Sequence, residues 1–147
     1  MLKYLKNNFA FYLICNIFFT PTDRPILKVY TDGNYARLPI RHPKIKTLFA
    51  LFSIENGLIP AGERKLVSTG LVILYPEGTY GQILPVFTAQ LLGIDVGQEI
   101  VYNDFRNELY ILVINNSKKE YKYYVNEQIA WLVIVKYPKC KLYQLGL

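Results

Sequence analysis

Two stretches of this chain are apolar at every position: Leu109-Tyr110-Ile111-Leu112-Val113-Ile114 and Trp131-Leu132-Val133-Ile134-Val135. Both are rich in β-branched and aromatic residues, which suit a pleated surface. Successive side chains of a strand point to opposite sides, so each run carries apolar groups on two faces. An opposing sheet covers one face. In a chain of 147 residues, the expected cover for the other is a second subunit. Leaving several such side chains in water is costly, at about 25 cal/mol per Å² of apolar area.

The rest of the chain repeats this grammar in shorter phrases. Apolar runs fall at residues 26–31, 48–54, 65–75, 80–87, 100–102, 109–114, 121–125 and 129–137. Turn clusters separate them: Asp32-Gly33-Asn34, Glu55-Asn56-Gly57, Pro76-Glu77-Gly78, and Asn115-Asn116-Ser117-Lys118, which reads as a hairpin-like connection. The pattern predicts an all-β sandwich or barrel. No segment keeps a 3.6-residue period for three turns, and a short helical turn between Thr88 and Leu92 is the most that fits. With 52% hydrophobic against 19% charged residues, disorder is excluded.

Composition also narrows the chemistry. Cys15 and Cys140 are too few for a disulfide framework or a thiolate zinc site. His42 is the only histidine; it sits in a loop reading Arg41-His42-Pro43-Lys44 and receives no role. The net charge of +6 favours anionic partners in general. It is spread out, however, densest at residues 37–46 and 118–122, and reads as solvated loops. Single-strand nucleic-acid binding through Tyr121, Lys122, Tyr123 and Tyr124 is not expected, because strand alternation splits them between two faces.

Residues 1–25 stand apart. Lys3 and Lys6 precede an apolar run from Phe9 to Phe19 that is too short to span a bilayer as a helix. Two readings stay open: a flap packed on the core, or a secretory signal whose cleavage side, Phe18-Phe19-Thr20-Pro21, lacks small residues. The domain plan is an extension at 1–25, a β domain at 26–137 and a tail at 138–147. A membrane enters only if the extension is a signal or anchor. The expected compartment is cytoplasmic or nuclear, with a secretory route through residues 1–20 as the alternative.

The stretch Ile59-Pro60-Ala61-Gly62-Glu63-Arg64-Lys65-Leu66-Val67-Ser68-Thr69-Gly70 and the following Pro76-Glu77-Gly78-Thr79-Tyr80-Gly81 resemble the trimeric dUTPase family, which reads I-P-x-G-x-x-x-L-V-x-T-G and then P-x-G-x-x-G. Asn103-Asp104-Phe105-Arg106-Asn107-Glu108-Leu109 looks like the family's D-Y-R-G-E-I, and Gln128-Ile129-Ala130-Trp131-Leu132 like R-I-A-Q-L. Order and spacing hold from about residue 27 to residue 135. The resemblance implies a dUTPase-like jelly-roll or β-clip barrel and a homotrimer.

The same resemblance places functional positions. The family's metal-binding aspartate in A-G-x-D-L-x-S falls on Ala50, and the aspartate that activates water falls on Tyr102. A phenol with its ordinary pKa near ~10 is a poor general base at neutral pH. Phe105 stands where the family's tyrosine packs against the deoxyribose. Val86 and Phe87 stand where its phosphate-binding arginine and serine belong, and Asn126-Glu127-Gln128 replaces G-D-R. The tail lacks the family's glycine-rich arm.

Turn and strand residues persist while residues implied to touch metal, phosphate and water are replaced. The expectation is therefore a scaffold kept without its chemistry, like the catalytically degenerate dUTPase-like proteins of adenoviruses and herpesviruses, serving as a protein-binding platform with no cofactor. Leu145-Gly146-Leu147 fits a carboxyl terminus that adds a strand to a PDZ-type groove, so Leu145 and Leu147 are candidate partner-binding residues for host proteins. The alternative is a divergent dUTP diphosphatase using magnesium and rearranged acids: Glu99, Asp104 or Glu108.

Overall fold

The computed structural model describes residues 25–31 and 36–146. Both readings of the extension thus lie outside the described residues apart from Pro25, as do Cys15, the turn cluster at 32–34 and Leu147.

The described residues form twelve strands and one short helix: β1 (Lys28–Thr31), β2 (Ile40–Arg41), β3 (Leu48–Phe52), β4 (Gly57–Ile59), β5 (Arg64–Ser68), β6 (Leu71–Leu74), β7 (Thr79–Leu84), α1 (Phe87–Leu91), β8 (Ile94–Val96), β9 (Ile100–Val101), β10 (Tyr110–Asn115), β11 (Tyr121–Tyr123) and β12 (Gln128–Lys136). All pairings are antiparallel. The largest sheet runs β2-β3-β12-β7-β9; the others are β5-β10-β8, β1-β6 and β4-β11. The all-β expectation is met.

The two doubly apolar runs become β10 and β12, and both show why they needed cover. In β10, Ile111 and Val113 are buried in the core while Leu112 and Ile114 are half-exposed on the other face. In β12, Ala130 and Leu132 are fully buried; Trp131, Val133 and Val135 lie half-exposed opposite. The core joins these inward faces to Phe49, Leu51, Val67, Leu71, Ile73 and Ile83. On β3 the outer face is closed from within the chain: the Arg37 guanidinium sits 4.0 Å from the centre of the Phe52 ring.

Two expectations are corrected. The run 65–75 is not one strand: it breaks at Thr69-Gly70, where Gly70 takes φ +63°, a conformation that costs a residue with a Cβ. And residues 115–118 do not fold β10 onto β11. The buried Asn115 amide donates to Ile59 O, Pro60 O and Lys119 O, turning the chain away so that β11 pairs with β4.

Candidate functional site

The loop between β9 and β10 carries Tyr102, Asp104, Phe105 and Glu108. Its C-terminal end is tied to the Thr69-Gly70 corner. The Leu109 N–H donates to Leu71 O at 2.7 Å, and Thr69 gives its hydroxyl to Leu109 O at 2.6 Å. Glu108 completes the clasp. Its Oε1 accepts the Ser68 hydroxyl and the Gly70 N–H (3.0 Å), and its Oε2 accepts the Tyr110 hydroxyl at 3.0 Å. Both carboxylate oxygens are thus engaged.

The front of the loop is a turn closed by Phe105 N–H donating to Tyr102 O at 3.1 Å. The Arg106 guanidinium donates back to the carbonyls of Asn103 and Phe105. Phe105 is half-buried against the core. Tyr102 is 66% exposed. Asp104 is exposed and, among the described residues, makes no hydrogen bond or ion pair, which leaves its carboxylate available.

Ala50 is not beside this loop. It is 5% exposed and in register between Ile40 of β2 and Trp131 of β12. In the sheet order, β3 and β9 are three strand spacings apart, roughly 14 Å at about 4.8 Å per spacing. One protomer therefore does not bring Ala50 and the loop together. Phe87 is exposed at the start of α1, which has no acidic residue in its first turn and no side-chain cap. Among the described residues no three His, Cys, Asp or Glu side chains group to hold a metal ion. With Ala50 buried among apolar neighbours, the residues present do not fit a magnesium held by protein carboxylates.

Sequence reasoning missed the role of Asn126-Glu127. Asn126 adopts φ 66°, which asparagine tolerates better than most residues, and so keeps the turn a glycine would make. Glu127 accepts the Tyr121 hydroxyl and the Tyr124 N–H, each at 2.9 Å. Burial first, and then this carboxylate, pushes the Tyr121 pKa up. In the tail, Leu145 is 90% exposed and Cys140 is a free, exposed thiol.

Residues 34–145 match the family model described as dUTPase. This chain belongs to the dUTPase family. It is 32% identical over 112 residues to the deoxyuridine 5'-triphosphate nucleotidohydrolase of variola virus, covering 75% of this chain and 76% of that one. A Candida albicans nucleotidohydrolase is 33% identical over 109 residues, covering 74% and 69%. Among solved structures, the dUTPase of Staphylococcus aureus phage phi11, described with a structural Mg(II) ion, superposes with a TM-score of 0.76 at 19% identity, covering 83% of this chain and 97% of that one. That match shows the jelly-roll fold of the family's dUTPases.

These relatives overturn the expectation of a catalytically silent platform. The viral and fungal nucleotidohydrolases that this dUTPase-family chain matches are named for hydrolysis, and neither the fold nor these matches show its loss. Ala50 and Tyr102 establish only that those two positions hold no acid. The loop itself still presents the free carboxylate of Asp104 two residues on.

Proposed function

We propose that the chain hydrolyses dUTP to dUMP and pyrophosphate. The observation that carries this reading is its 32% identity, across three quarters of both chains (75% and 76%), with a viral enzyme named for that hydrolysis.

Asp104 is the general base. Its unengaged carboxylate takes a proton from a water molecule, whose oxygen forms the new bond to the α-phosphorus. The bond to the bridging oxygen breaks, and pyrophosphate leaves with the electron pair. The exposed edge of Phe105 packs on the deoxyribose beside it. Glu108 holds the loop in place, and Tyr102 offers a hydroxyl at its mouth. Magnesium enters with the triphosphate; among the described residues no cluster of carboxylates gathers to hold it.

The working unit is a homotrimer. The half-covered apolar face of Trp131, Val133 and Val135 supports this, as does the roughly 14 Å between β3 and the β9–β10 loop. The test compares dUTP with dCTP and dTTP as substrates: hydrolysis confined to dUTP and lost in Asp104→Asn is expected. Equal hydrolysis of all three, or full activity in Asp104→Asn, contradicts the reading.

A further inference from the structure

The turn between β2 and β3 reads Arg41-His42-Pro43-Lys44-Ile45-Lys46. It borders an open cavity of about 600 Å³ lined by Pro25, Arg41, His42, Pro43 and Lys46, with no acidic residue in the wall. Among the described residues, none of the three lysine and arginine side chains of the turn makes an ion pair; the one such pair joins Lys122 to Glu120 on β11 and the turn before it. Among the described residues this is unpaired positive charge around a concavity.

Two of its donors are held in place. His42 Nδ1 accepts the backbone N–H groups of Lys44 (3.2 Å) and Ile45 (3.1 Å). An Nδ1 that accepts carries no hydrogen, so these bonds assign the neutral ring's N–H to Nε2. The ring also packs edge-on to Trp131 at 5.6 Å. Arg41 lies with its guanidinium 5.3 Å from the centre of the Phe49 ring, opposite it in the β2–β3 register. Lys46 supplies the third donor on a flexible stem.

We propose that this turn binds a phosphate group, free or at the end of a nucleotide. A guanidinium presents paired N–H donors that match two phosphate oxygens, the imidazole N–H and the lysine ammonium reach further oxygens, and Pro25 and Pro43 form rigid walls. This site is distinct from the β9–β10 loop and does not depend on dUTP hydrolysis.

Calorimetric titration of the full chain at low salt, without metal, tests it with three probes: inorganic phosphate, pyrophosphate and dUMP. Saturable binding of at least one is expected. Arg41→Gln and Lys46→Gln each weaken it about fivefold, and Lys122→Gln leaves it unchanged. Binding of the inorganic probes alone marks a free anion as ligand; dUMP binding that weakens in Arg41→Gln and Lys46→Gln marks a nucleotide phosphate, since dUMP held at the β9–β10 loop responds to neither change. Asp104→Asn retains the binding, so loss of turnover and loss of this site are told apart. No saturation by any probe, equal binding in Arg41→Gln and Lys46→Gln, or binding of a DNA duplex alone overturns the proposal.

Discussion

Glu108 Oε1 accepts the N–H of Gly70 at 3.0 Å, joining the loop before β10 to the corner between β5 and β6 across 38 residues of chain. Glu108→Ala leaves the Ser68 hydroxyl, the Gly70 N–H and the Tyr110 hydroxyl without this acceptor. The expected loss is about 2 kcal/mol in urea unfolding, with Glu108→Gln losing less because an acceptor oxygen remains. Equal stability of Glu108→Ala and the parent would remove the clasp from the account.

Asn115 is fully buried and directs β11 to β4. Its amide nitrogen donates among Ile59 O, Pro60 O and Lys119 O, and its oxygen accepts the Ser117 N–H and hydroxyl at 3.0 and 2.7 Å. Asn115→Asp sets an acceptor against three carbonyls. A loss of about 3 kcal/mol or more is expected at neutral pH, read by thermal or denaturant unfolding.

Gly57 is needed for space. A Cβ there would lie 2.2 Å from the Tyr123 hydroxyl oxygen, and Tyr123 is 1% exposed, so its ring cannot swing away. Gly57→Ala is expected to destabilise by about 2–3 kcal/mol. Adding Tyr123→Leu recovers part of that loss, and a purely additive double variant would contradict the clash.

Alkaline pH bears on Tyr75, as it does on Tyr121. The Tyr75 hydroxyl is buried and, among the described residues, has no hydrogen-bond partner, and burial pushes its pKa well above the ordinary phenol value. The folded state therefore keeps this proton longer than the unfolded one, which loses it near pH ~10. The contribution is intact below that pH and is lost as pH rises toward the folded-state value. Melting temperature is expected to fall above pH ~10, less steeply in Tyr75→Phe. At neutral pH that variant is about 1 kcal/mol more stable, since an unpaired buried hydroxyl is gone.

Strands β10 and β12 were legible because their apolar runs are rich in β-branched and aromatic residues, which decide for a strand where periodicity alone does not. Strands β2 and β4, two and three residues long, were not, because they exist only through their partners Phe49-Ala50 and Tyr121–Tyr123. The break at Gly70 was hidden inside an apolar run whose pattern does not register backbone φ. At the site, the sequence reported truly that Ala50 and Tyr102 are not acids. It did not report that Glu108 is fully engaged and Asp104 is not, since that depends on contacts 38 to 40 residues away in Gly70 and Ser68. His42 carried no readable partner because its partners are backbone N–H groups.

Pyrophosphate release from dUTP by the purified chain, measured with magnesium at high protein concentration, bears most directly on the whole account. Steady release that scales with protein and disappears in Asp104→Asn is predicted. No release at any protein concentration from a folded chain would contradict it.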